Sequence, residues 1–296
     1  MTLDVVICTR DRADDLGRCL ASLAVQTTRP DRILVINSGR PLRSAAAAVE
    51  VVESDPGLPR QRNVALDLAE GDLVAFVDDD VELRADYFEH VLGWLVDNPQ
   101  AIGVSGHIDN DVPFSAASRA FRRVFVLSTG DGLLQPSGDL IYLYHPSQPT
   151  RVHALSGSNM VWRRSVIEAI RFDEALHGYA YMEDVDFSLR AGVHGEMWML
   201  PDAHLVHRKT ETSRVPPREY VRQVIANGAY LFTKHQHAYE LRRGAYARRV
   251  TGRSAAYIAL AARRGSREPV LGLAQGLAAL PAALRRGRLA RCGQWP

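Results

Sequence analysis

A chain of 296 residues, 46% apolar and 24% charged, can bury a sizeable core without disulfides or structural metals, which excludes a stapled mini-protein and a chain disordered throughout. Its three cysteines, Cys8, Cys19 and Cys292, are odd in number and form no C-x-x-C, so free thiols in a reducing compartment are expected and the protein is read as cytoplasmic. The net charge of +2 conceals a division: residues 1–207 carry 18 arginines, no lysine and 30 acidic residues, whereas residues 208–296 carry 18 basic residues against four acidic ones, as if one half met an anionic surface or partner.

The first apolar run, residues 5–8, is four residues long, too short for a signal-peptide core. Residues 3–8 read as a buried strand. Leu16, Cys19, Leu20 and Leu23 then share one helix face, and residues 32–36 read as a second strand, so the chain opens as a β-α-β unit. A helix-like segment at 61–69 leads into the apolar run 73–77, which ends in Asp78, Asp79 and Asp80. This alternation implies an α/β fold: an open, mostly parallel sheet covered by helices on both faces, with ligands at the carboxyl ends of its strands. Beyond Asp97, residues 102–108 read as a strand, 115–126 as a helix and 130–150, rich in Gly, Pro and Ser, as a long loop. Short strands are expected at 152–156 and 160–162, and helices from 184 to 191, from 216 onward and around Leu273, Leu277, Leu280 and Leu284. The longest uncharged stretch, 269–284, contains Pro281 and falls short of the roughly 20 apolar residues of a spanning helix, so none is expected.

Two acidic clusters carry the chemistry. Asp78 and Asp80 point the same way from a strand end, and a hard divalent cation, Mg²⁺ or Mn²⁺, would relieve their repulsion while completing its shell with phosphate and water. The alternative is an acidic turn or cap leading into a helix over 81–95. Glu183, Asp184 and Asp186 form the second cluster, in which one carboxylate suits a general base; a helix start favoured by the macrodipole is the other reading, and the two are compatible. Thr9, Arg10 and Arg12 close the first strand and Asn37 the second, while Gly57, Arg60 and Asn63 enter the next helix; such groups suit phosphate oxygens and base or ribose edges. His204 and His207 are either structural or able to complete the metal shell.

The runs V-V-I-C-T-R-D-R at 5–12, G-L-P-R-Q-R-N at 57–63, F-V-D-D-D at 76–80, G-S-N-M-V-W-R-R at 157–164 and M-E-D-V-D-F-S-L-R at 182–190 together resemble family 2 glycosyltransferases of the GT-A fold, over about residues 1–210. The resemblance implies inverting transfer of a sugar from a nucleotide-diphosphate sugar to an acceptor hydroxyl, dependent on Mn²⁺ or Mg²⁺. It implies Asp80 and His207 at the metal, Asp184 as general base with Glu183 as second candidate, and Thr9, Arg10, Arg12, Asn37, Arg60, Asn63, Asp78 and Asp79 with Gly157, Ser158 and Asn159 around the donor. Many relatives carry an aspartate where this chain has Asn37-Ser38-Gly39, which leaves the nucleobase open. Residues 1–212 would then be the GT-A domain and 213–296 a basic, mostly helical region. The rivals are a nucleotidyltransferase and a non-catalytic nucleotide-sugar-binding protein.

The basic region pairs arginines such as Arg242, Arg243, Arg248, Arg249, Arg253, Arg263, Arg264, Arg285 and Arg286 with apolar stretches, as in segments that lie against anionic lipid. Peripheral attachment to the inner membrane face, where a lipid-linked acceptor would be presented, is one expectation; docking on the acidic half, or a solvated face with a frayed end, is the other. Nucleic acid is not an expected partner, since the aromatics do not interleave as stacking platforms.

Overall fold

Side-chain alternation along the first strands divides one continuous apolar run between two cores. In β1 (Leu3–Thr9), Leu3, Val5 and Ile7 enter one core and Val6 the other. β2 (Arg32–Asn37) and β4 (Leu73–Asp78) divide likewise: Val35, Leu73, Ala75 and Val77 face one side, and Leu34, Ile36, Val74 and Phe76 the opposite one. α1 (Ala13–Ala24) and α3 (Tyr87–Asp97) cover the first face; α2 (Leu58–Leu68), the short α5 (Arg164–Ile167) and α6 (Glu183–Ala191) cover the second. The computed structural model describes residues 1–42, 49–176, 180–209 and 215–292.

The nine-stranded sheet also contains β3 (Val49–Glu53), β5 (Val81–Leu83), β6 (Ala101–Ile108), β7 (Thr150–Val152), β8 (Asn159–Arg163) and β9 (Glu196–His207), in the order β3-β2-β1-β4-β8-β6-β9-β5, with β7 also on β9. β3, β2, β1 and β4 are parallel; β8 runs antiparallel between β4 and β6, and β6 is parallel to β9. Aromatic packing fastens the second face: Phe172 stacks on Phe187 with centroids 4.1 Å apart and meets Phe76 edge-on. Burying a side chain of this kind stabilises the fold by about 1.5–3 kcal/mol.

The structure corrects two local expectations. The aspartates lead into β5 before α3 begins, because Val81–Leu83 pairs antiparallel with β9. The strand expected at 152–156 stops at Val152, since the Leu155 amide donates to Ser188 Oγ of α6 instead of to a neighbouring strand.

The chain divides into two compact units. The first, Met1–Val112, Tyr142–Gly178 and Glu183–Ser213, contains the sheet; the second comprises Pro113–Ile141, Tyr179–Met182 and Arg214–Pro296. A boundary near 212 falls within 210–214, outside the described residues. The second unit holds α4 (Ala116–Val124), α7 (Pro217–His235), α8 (Arg243–Arg264) and α9 (Glu268–Cys292), with Val221, Val224, Ile225, Tyr257 and Leu273 at its core. α9 approaches α7 closely enough that a Cβ on Gly276 would lie 2.7 Å from Ile225 Cβ. Buried Asp139 pairs with Arg253 at 2.7 Å and Arg249 at 3.2 Å, so these two arginines serve the unit's interior. Among the described residues no helix is long and apolar enough to cross a membrane.

Candidate active site

β1, β2 and β4 are parallel and in register, so their carboxyl ends deliver Thr9, Asn37 and Asp78 to one edge of the sheet. Successive residues beyond β4 then part company. Asp79 turns inward, where Thr9 Oγ1 donates to it at 2.7 Å and Arg12 Nη1 at 2.6 Å. Asp80 takes Arg12 Nη2 at 2.7 Å and lies 3.1 Å from His207 Nε2, which β9 supplies through the Val81–His207 register. Asp78 lies 3.4 Å from Arg62 Nη2, and its amide donates to the Ser158 carbonyl. Asp78, Asp80 and His207 each offer a ligand atom, all within 4.8 Å of one another. Two carboxylates and an imidazole form a donor set that Mn²⁺ or Mg²⁺ accepts.

Charge in this site is unevenly held. Burial, opposed by the Thr9 and Arg12 hydrogen bonds, pushes the Asp79 carboxyl up to about 7. Burial also raises Asp78, against the pull of Arg62 and His207. Asp80 goes the other way: although burial opposes it, the hydrogen bonds and charges of His207 and Arg12 hold it well below the usual carboxylate range, keeping it ionised. Burial would lower His207, but its hydrogen bond to Asp80 and the charge of Asp78 raise it overall.

The second cluster comes from the start of α6. Glu183 is sealed in an ion pair with buried Arg62, and burial together with its neighbour Asp184 raises its carboxyl well above the ordinary value. Asp184 is half-buried and more open: the Gly157 amide donates to its Oδ2 at 2.7 Å and the Val185 amide to its Oδ1 at 2.9 Å. A Cβ on Gly157 would lie 2.9 Å from both the Arg62 guanidinium and Asp184 Oδ2, so only glycine permits this approach. Arg62 Nη2 donates to the Gly157 carbonyl, linking this cluster to Asp78.

The other candidate residues divide into two groups. Thr9, Arg12, Asp79, Asp80 and His207 form one bonded group, and Asp78, Gly157, Ser158, Glu183 and Asp184 form another around Arg62; the two adjoin where Asp78, Asp80 and His207 come together. Arg10 is exposed at the end of β1. Asn37 is buried and donates to the Arg40 carbonyl and to Glu53. Arg60 and Asn63 are engaged by Glu174, and Asn63 also bonds the Phe172 backbone, so they brace α2. Asn159 is turned into β6, where its Oδ1 accepts from the Gly106 amide. His204 joins Asp109 instead of the aspartates.

Three further residues contribute to the site. Arg62 lies inside the G-L-P-R-Q-R-N run, so its signal was present. Glu53 ends β3 and sets a carboxylate against Asn37, where the Asn37-Ser38-Gly39 turn lacks an acidic residue. Tyr142, from the long loop, hydrogen-bonds Asp184, and burial and that carboxylate raise its phenol well above the ordinary value. Nothing in the loop's composition singles it out.

Residues 4–171 match glycosyl transferase family 2, more than half of the chain. The chain belongs to glycosyltransferase family 2. This family 2 glycosyltransferase is 28% identical over 271 residues to the N-acetylglucosaminyl-diphospho-decaprenol L-rhamnosyltransferase of Mycobacterium tuberculosis, covering 80% of its own length and 85% of that protein. It is 26% identical over 225 residues to EpsH of Bacillus subtilis, covering 72% of its own length but only 62% of EpsH, less than two thirds. A mannosyltransferase of Pyrobaculum calidifontis, solved in complex with GDP-Man and Mn²⁺, superposes with a TM-score of 0.54 at 17% identity, over 98% of this chain and 86% of that one. The fold of this glycosyltransferase is GT-A.

Proposed function

We propose that this glycosyltransferase catalyses inverting, divalent-metal-dependent transfer of a sugar from a nucleotide-diphosphate sugar to an acceptor hydroxyl. The observation that carries the reading is the convergence of two differently held acidic groups: Asp78 and Asp80 with His207 as a donor set, and Asp184 on the Gly157 amide. Mn²⁺ or Mg²⁺ held by Asp80 and His207, with Asp78 beside them, would supply a Lewis acid for the departing diphosphate. Arg12 fixes Asp80 and, through Asp79 and Thr9, the end of β1. Asp184 takes the proton of the acceptor hydroxyl, and one displacement inverts the anomeric centre. Glu183, already committed to Arg62, serves to position that guanidinium.

Purified protein titrated with nucleoside diphosphates and nucleotide sugars, each with and without Mn²⁺, tests this reading by thermal stability. A ligand at 100 times its dissociation constant adds about 2.7 kcal/mol to the native state, so a metal-dependent rise in melting temperature with one nucleobase is expected. No rise with any member, with or without metal, would overturn it.

The acceptor is proposed to be lipid-linked and reached from an anionic membrane surface. The Mycobacterium tuberculosis relative is named for a decaprenol-linked acceptor, which supports this. So does the surface of the second unit, which exposes Arg243, Arg248, Arg263, Arg264, Arg285 and Arg286 together with Ile258, Leu277 and Leu289. Each cation near such a surface contributes about 1 kcal/mol. The full chain is expected to sediment with anionic liposomes at low salt and to be released by high salt; absence of low-salt binding would remove the membrane part of the proposal.

A further inference from the structure

A second group of potential ligands lies on the same sheet, apart from the aspartates. The β6–β9 register breaks after Gly106: Gly106 pairs with Leu200, but His107 pairs with His204, so Pro201, Asp202 and Ala203 bulge out of β9. Bulges re-aim side chains, and this one sets two imidazoles face to face, their centroids 4.7 Å apart and their planes 30° from parallel. Asp109 follows β6, its amide donating to the Leu205 carbonyl, and its Oδ1 lies 2.6 Å from His204 Nδ1. Arg84 approaches the other oxygen of Asp109 at 3.6 Å from the exposed side. The Ile108 amide donates to the Tyr144 carbonyl, which brings His145 alongside, with His145 Nδ1 3.0 Å from His107 Nε2.

The hydrogen bonds fix where the protons sit. His145 Nε2 lies 2.9 Å from the Asp111 carbonyl, which can only accept, so Nε2 carries the proton and, in the neutral ring, Nδ1 carries a lone pair. That lone pair takes the proton of His107 Nε2, which leaves the lone pair of His107 on Nδ1. His107 Nδ1 is buried and has no hydrogen-bond donor against it. A histidine oriented through one nitrogen by a hydrogen-bonded neighbour, with the other left bare, is the arrangement that metal-ligating histidines use.

We infer that His107, His204 and Asp109 form a second metal site, selective for a borderline ion such as Zn²⁺, with His145 positioning His107. One ligand atom from each of the three lies within 4.8 Å of the others. A tetrahedral ion with bonds of about 2.0–2.1 Å sets its donors about 3.3 Å apart, so the ligand atoms would converge by side-chain rotation, and entry of the ion between Asp109 and His204 would release the proton that His204 Nδ1 now donates to Asp109. Two imidazoles and one carboxylate favour Zn²⁺ over Mg²⁺, which takes oxygen ligands. The ion would clip β6 to β9 beside Asn110, whose side chain bonds both the amide and the carbonyl of His207. Occupancy would therefore steady the strand end that carries His207. The inference stands apart from the glycosyl-transfer reading, since none of its three ligands belongs to the aspartate site.

The test uses the full chain, stripped with a chelator, loaded with Zn²⁺ in excess Mg²⁺ and dialysed, with bound zinc measured by mass spectrometry and stability by melting temperature. One zinc equivalent and a higher melting temperature are expected, both retained in Asp80→Asn and lost in His204→Gln. His145→Gln should weaken zinc binding by about 10- to 100-fold, the usual cost of losing a partner that orients a ligand. Co²⁺ on the unsubstituted protein reads the coordination without any variant, through the ligand-field absorption of a tetrahedral nitrogen–oxygen site. The inference is overturned if no zinc is retained, if His204→Gln retains it, if Asp80→Asn alone loses it, or if Co²⁺ gives no such absorption.

Discussion

Asp80→Asn protein is expected to lose metal-dependent donor binding and about 10³-fold in turnover, the equivalent of about 4 kcal/mol of lost stabilisation of the leaving group. The expectation follows from the way Asp80 is held: Arg12 and His207 keep its carboxylate ionised within a buried site, and asparagine has no charge to offer a cation there. Arg12 keeps Asp79 and an ion pair to Asp15, so the fold should survive the change. The measurement is donor affinity with and without Mn²⁺. Unchanged metal-dependent affinity in the variant would remove Asp80 from the metal. His207 sharpens the test, because a metal ligand must be unprotonated and this imidazole is raised above its ordinary value by Asp80 and Asp78. Metal affinity should therefore climb as pH rises through the raised value of His207, and the titration of His207 itself, followed by NMR without metal, should shift to lower pH in Asp80→Asn.

Asp184→Asn is expected to leave donor affinity intact while lowering turnover by about 10² to 10⁴, the share of a general base. The amide keeps an oxygen for the Gly157 or Val185 N–H, so the start of α6 is preserved while the proton acceptor is lost. Glu183→Gln separates the two acids of the cluster. Removing one partner of a buried ion pair costs about 3–5 kcal/mol, and here it replaces the carboxylate on Arg62 with a neutral amide, leaving Asp78 as the charge bonded to that guanidinium beside the Gly157 carbonyl. The Glu183 variant should thus appear first as lost stability and the Asp184 variant as lost turnover. Full turnover in Asp184→Asn would move the base elsewhere.

Much of the molecule was legible in the sequence because it depends on local pattern. Apolar runs at 3–8, 32–36 and 73–77 became β1, β2 and β4, and the spacing of Leu16, Cys19, Leu20 and Leu23 became the buried face of α1. The strand before Asp78 told correctly where the carboxylates would emerge. β9 was not legible: Pro201 and Asp202 interrupt its alternation, and it is specified by pairing with β6 and β5. β3 was missed because neither of its faces is fully buried, so it carries little apolar signal.

The parallel strands, the helices that cover them and the chemical types gathered at the strand ends are encoded locally, since each follows from side-chain period and composition within about ten residues. Which side chains meet depends on the folded arrangement. Asp79 went to Arg12 and Asp80 to both Arg12 and His207, Glu183 to Arg62 and Asp184 to Gly157, while His204 left the aspartates for Asp109 and His107. All of these pairs but Asp184 with Gly157 lie 67 to 127 positions apart and meet only through sheet order and register. The bulge at residues 201–203, which sets His204 opposite His107, is fixed by pairing with β6, which no local run of sequence encodes.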